Sequence, residues 1–90
     1  MENNRLEKLL SFYKEEPNDA FTIYALATEY RKVDKMKAKE YYDLLLTEHE
    51  NYVGTYYHAG SLYHELGDEE KAKNIYTKGC LLYTSDAADD

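Results

Sequence analysis

The sequence predicts an all-α chain of five helices paired as antiparallel hairpins, and three observations predict it. Four Gly, one Pro, two Val and two Ile in 90 residues leave few helix breakers and few β-branched residues, which favours helices over strands. Between the breakers, apolar residues recur at steps of three and four, the spacing of one helix face. Finally, Tyr24/Tyr57 and Tyr30/Tyr63 are 33 apart, while Lys37/Lys71, Ala38/Ala72, Lys39/Lys73 and Tyr42/Tyr76 are 34 apart. A period near 34 with two helices per unit is the signature of a repeat array.

The opening helix spans about residues 5–15, with Leu6, Leu9, Leu10 and Tyr13 on one face. Pro17, Asn18 and Asp19 stop it and cap the next helix. That second helix runs from Phe21 to about Val33 and buries Ile23, Leu26, Ala27 and Tyr30. Asp34 caps a third, from about Lys35 to Glu48, with Ala38, Tyr41, Tyr42 and Leu45 inward. Asn51 precedes a fourth helix, with Tyr56, Ala59, Gly60 and Tyr63 on its core face. Gly67 ends it, because glycine reaches the left-handed C-terminal conformation at least cost. Asp68 caps a fifth helix, and Glu69 and Glu70 sit in its first turn, where the helix dipole favours negative charge. Its buried face is read as Ala72, Ile75, Tyr76 and Gly79. Repeat one covers about residues 20–52 and repeat two about 53–79. The first is one residue shorter at its internal turn, where Val33-Asp34-Lys35 replaces Leu66-Gly67-Asp68-Glu69.

Charge and composition exclude several classes. A net charge of −7 argues against nucleic acid as a partner, since phosphate binding needs a positive field. Apolar runs such as Leu44-Leu45-Leu46 fall far short of the roughly 20 residues a bilayer demands, and Glu2 and Arg5 stand where a signal peptide needs an apolar core. A cytoplasmic protein without membrane contact is expected. A single Cys makes neither an internal disulfide nor a structural zinc site. Eleven of the thirteen aromatic residues are Tyr, which suits half-buried helix interfaces as well as binding surfaces.

Residues 80–90, from Cys80 to Asp90, resemble one translated reading frame of transposase-end adapter DNA from sequencing libraries. The resemblance implies a non-native tail, a single domain over residues 1–79 cut within its last helix, and a Cys80 foreign to the protein.

Over about residues 5–79 the sequence resembles the tetratricopeptide repeat family. The second repeat carries Tyr56 for the bulky residue, Ala59-Gly60, Tyr63, Gly67-Asp68 at the turn, Ala72 and Tyr76. The first carries Ile23, Leu26-Ala27, Tyr30, Ala38 and Tyr42, with Glu50 where the family has Pro, while Pro17 holds that place for the opening helix. The resemblance implies a right-handed antiparallel helix-hairpin array of about two and a half repeats. Its small residues Ala27, Ala38, Gly60 and Ala72 stand where paired helices approach, so longer side chains would overpack the seam.

The residues offer little for catalysis, and neither an enzyme nor a cofactor is expected. Glu15-Glu16 and Glu69-Glu70 are adjacent and diverge by about 100° around a helix, which is no acid/base pair. His49, His58 and His64 lack the spacing of a helical metal pair, and no Gly-rich phosphate loop occurs. Lys32, Lys35, Lys37 and Lys39 form a basic cluster, read as solvated surface or a patch for an acidic partner.

The expected function is a noncatalytic interaction module or scaffold that binds a peptide or helix of another protein. In a stacked array the first helices line a concave surface. Here they present Phe21, Tyr24, Thr28 and Arg31 from one repeat and Gly54, Tyr57, Ser61 and His64 from the next. Tyr24 and Tyr57 are read equally as packing between repeats, and Arg31 and His64 as solvent-exposed residues or holders of an acidic side chain or carboxylate. The Lys and Asn clamp by which some family members hold chaperone carboxylates is not visible at Phe21, Ala25, Gly54 and His58. Alternatives are a docking domain appended to an enzyme or regulator, and self-association through an uncapped C-terminal helix carrying Ile75.

Overall fold

The structure, a computed structural model, describes residues 4–88. Five helices follow in order: α1 (Asn4–Glu15), α2 (Ala20–Arg31), α3 (Lys35–Glu48), α4 (Gly54–Glu65) and α5 (Glu69–Ala88). No strand occurs among the described residues. The main packing is α1 on α2, α2 on α3, α3 on α4 and α4 on α5, so two hairpins stack behind an opening helix. This is an all-α helical repeat array, as the sequence predicts.

Three aspartates start helices by the same device. Asp19 accepts from the Thr22 amide at 3.1 Å, Asp34 from the Lys37 amide at 3.2 Å and Asp68 from the Lys71 amide at 3.2 Å. Each satisfies a first-turn N–H that has no partner within the helix. The start of α4 differs. Val53 occupies its N-cap with no side-chain hydrogen bond, and Asn51 lies exposed in the preceding turn. Backbone turns replace the cap: the Thr55 amide donates to the Tyr52 carbonyl at 3.0 Å and the Tyr56 amide to the Val53 carbonyl at 3.1 Å.

The one-residue difference between the repeats lies at the helix ends. Gly67 has φ +89°, and the Asp68 amide donates to the Tyr63 carbonyl while the Gly67 amide donates to that of His64. This paired closure is a Schellman motif, and its left-handed residue is the inserted one. At the end of α2, the Asp34 amide donates to the Tyr30 carbonyl, and no non-Gly residue among those described has positive φ. The shorter turn closes without a left-handed residue.

The core runs through both hairpins: Ile23, Ala27, Ala38, Tyr42, Leu45, Tyr56, Ala59, Leu62, Tyr63, Ala72 and Ile75 form one cluster. Leu9, Ala25 and Leu26 form a second cluster, which seats α1 on α2. Tyr41 ties three helices together, stacked on Tyr30 at 5.5 Å and edge-on to Tyr13 at 5.7 Å. Glu29, on the far side of α2, is nearly buried and accepts from Arg5 at 2.9 Å and from Lys32 at 3.2 Å.

One core assignment is corrected. Tyr42 is fully buried, whereas Tyr76, 34 residues later, is 37% exposed. Tyr42 belongs to the main cluster, with its hydroxyl 3.5 Å from that of Thr28 on α2, whereas the ring of Tyr76 lies at the surface against Gly60. α5 passes without a break through Gly79 and Cys80, and Leu82 packs on the main core while Cys80 is exposed.

Candidate functional site

The first helices of the two hairpins, α2 and α4, are joined by one arginine. Arg31, in the last turn of α2, donates from one terminal nitrogen to Ser61 Oγ at 2.8 Å and from the other to the His58 carbonyl at 3.3 Å. The same guanidinium pairs with Glu65 at 3.2 Å, and Lys35 reaches the other oxygen of that carboxylate at 3.6 Å. Arg31 thereby links α2 to α4, and its charge is already matched. Its hydrogen bond holds the Glu65 carboxyl below the ordinary carboxylate range, with help from the charges of Arg31 and Lys35.

Beside this bridge lies an aromatic run. Tyr24 meets Tyr52 and His58 edge-on, each at 5.5 Å between ring centres. His58 in turn meets Tyr57 at 5.4 Å, and Tyr57 leans toward Tyr76 of α5 at 6.3 Å. Rings so placed interact edge to face, and their outer faces carry negative quadrupole charge. Tyr57 is 69% exposed, and Tyr24 and His58 are half-buried. Burial lowers the His58 pKa, and the neighbouring Arg31 lowers it further, so the ring is neutral at neutral pH. Burial likewise raises the Tyr24 hydroxyl pKa, with smaller contributions from Tyr42 and Tyr52.

The structure brings Tyr24, Arg31, Tyr57 and Ser61 together. The other expected groove residues behave differently. Thr28 donates inward to the Tyr24 carbonyl at 3.0 Å, and its hydroxyl lies 3.5 Å from that of Tyr42. Phe21 is exposed in the first turn of α2, outside the aromatic run. His64 is exposed at the far end of α4, 3.7 Å from Glu69. It borders an open depression of about 580 Å³ lined also by Glu70, Lys73 and Tyr76.

Tyr52, Tyr76 and Glu65 complete this surface and were not among the residues expected there, whereas His58 was named only as a groove position without the clamp residue. Position 58 is identifiable as a groove position by its register with Ala25. The Tyr24–His58 contact, however, arises from how the two hairpins are stacked. The basic cluster is also changed by the fold: Lys32 pairs with Glu29, Lys35 with Glu65, Lys37 with Glu40 and Lys39 with Asp43. Three of these carboxylates lie within one turn of their lysine, and the fourth, Glu65, reaches Lys35 from the next hairpin.

The sequence profile of the tetratricopeptide repeat family matches residues 53–86. The match supports that family for the second hairpin, covering α4 and most of α5. Such repeats generally mediate protein–protein interaction, and the family is typically a noncatalytic module. No curated protein matches the chain. Among the described residues no group of three or more His, Cys, Asp or Glu is placed to hold a metal ion, and no helix is long and apolar enough to cross a membrane.

Proposed function

We propose that this chain is a noncatalytic interaction module or scaffold that docks a peptide or helix of a partner protein on the groove face of α2 and α4. The observation that carries this reading is the aromatic run of half-buried Tyr24 and His58 and exposed Tyr57 beside the Arg31 bridge. Large aromatic side chains contribute contact area at low cost in conformational entropy, and tyrosine and arginine recur among residues that dominate binding energy. The exposed Phe21 and His64 and the inward-turned Thr28 belong to the same proposed face, and Ser61 holds Arg31 there. Arg31 bonds from α2 to α4, and a link of this kind lowers the ordering cost of binding.

The test is selection from a displayed peptide library against the wild-type protein, with counter-screening against Tyr24→Ala and Tyr57→Ala. Recovered peptides should lose binding to both variants, each variant keeping its helical spectrum. Peptides that bind both variants as tightly as wild type would place recognition on another surface.

A further inference from the structure

We infer that the partner segment seated on the α2 and α4 face carries lysine or arginine side chains, which rest on the tyrosine rings and meet an acidic rim. This deepens the peptide-docking reading above and rests on it. Four observations favour a cationic partner over an acidic one. First, the cation expected to receive a carboxylate is engaged: Arg31 is held by Ser61, the His58 carbonyl and Glu65, and its side chain is only 20% exposed. Second, the lysine beside it, Lys35, faces the same Glu65. Third, His58 is held neutral by burial and by Arg31, so it supplies no charge to an anion at neutral pH. Fourth, at the α4 and α5 end of the face the exposed Glu69 and Glu70 outnumber the one lysine beside them, Lys73, on a chain of net charge −7.

The rings provide the attractive element. A guanidinium or ammonium within about 6 Å of a tyrosine ring centre is drawn to its negative face, more strongly where water is displaced. The chain already makes such contacts at another site, where Lys39 and Lys71 lie 5.6 Å and 5.3 Å from the Tyr63 ring centre. Tyr57, with most of its surface open, offers the same chemistry to a partner. The surrounding acidic field draws a basic segment toward the face and repels an acidic one.

The test uses fluorescently labelled peptides of equal length, with arginine, glutamine or glutamate at the same alternating positions. Each is titrated against the full chain by anisotropy at two salt concentrations. The arginine peptide should bind tightest and weaken as salt rises. Tyr57→Leu, which keeps apolar area but loses the ring, should weaken it about tenfold, whereas Tyr57→Phe should not. Equal binding of the glutamine peptide, lost in Tyr57→Leu, would overturn the cationic inference and leave the docking face intact. Arginine binding that is indifferent to Tyr57→Leu would show diffuse attraction to an acidic surface and overturn it as well. The inference also falls if the glutamate peptide binds tightest or none of the three binds, while the library selection judges the docking face separately. Self-association abolished by Tyr57→Leu would assign the face to a second copy of the chain, again overturning the inference.

Discussion

A Cβ atom placed on Gly79 would stand 2.5 Å from the Cβ of Tyr56, so α4 and α5 cross where neither can move aside. The obstructing atom is the first of the Tyr56 side chain, fixed by its own backbone. Gly79→Ala should therefore push the helices apart and destabilise the fold by about 1–3 kcal/mol, despite alanine's better helix propensity. Urea unfolding checks this through a lower midpoint at unchanged slope.

Gly60 provides the contrast. Its added Cβ would meet ring atoms of Tyr76 at 2.6–2.9 Å, but that ring is 37% exposed and can swing outward. Alanine's propensity gain of about 1 kcal/mol offsets the lost contact, so the stability of Gly60→Ala should lie within about 1 kcal/mol of wild type. A destabilisation matching that of Gly79→Ala would mean the Tyr76 ring is locked in place.

Ala38 and Ala72 occupy the same seam of the two hairpins, with 0% and 3% of their surfaces exposed. Leucine at either position should cost about 1–3 kcal/mol through overpacking. Unchanged melting midpoints in both variants would refute the register of the repeats.

Tyr63 donates to Asp43 at 2.5 Å, and burial, more than that bond or the carboxylate's charge, pushes its hydroxyl pKa well above the ordinary tyrosine value. The folded chain thus holds this proton more tightly than the unfolded chain does. The associated stability is complete below about pH 10, where the unfolded tyrosine titrates, and is lost as pH rises toward the folded value. Tyr63→Phe should cost about 1 kcal/mol at neutral pH. It should also flatten the alkaline fall in melting temperature, and an unaltered alkaline limb would refute the assignment.

Most of the helix plan is legible in the amino-acid sequence. Asp19, Asp34 and Asp68 announce helix starts by chemistry that acts within one turn, and Gly67 announces an end for the same reason. Apolar spacing likewise locates the buried faces, since periodicity is a property of the isolated helix. What sequence does not show is contact between hairpins. Arg31 is placed on the groove face by its spacing, but its bond to Ser61, 30 residues away, depends on how the second hairpin docks on the first. Tyr76 shows the same limit: it stands one 34-residue period after Tyr42, yet Tyr42 is buried and Tyr76 is 37% exposed.

Coupling between Arg31 and His58 is separately measurable. Burial is the larger cause of the lowered His58 pKa and the Arg31 charge the smaller. Arg31→Gln should therefore raise the His58 titration midpoint while leaving it below that of a free histidine. The imidazole proton shifts followed across pH check this, and a midpoint that stays or falls would remove Arg31 from the site's electrostatics.

The docking face itself is probed most directly by amide chemical-shift mapping of the labelled chain with a library-selected peptide. Shifts should concentrate at Tyr24, Tyr57, His58 and His64 on α2 and α4, with α1 and the outer faces of α3 and α5 unmoved. Shifts confined to α3 and α5, or spread evenly over the chain, would rule this face out as the docking surface.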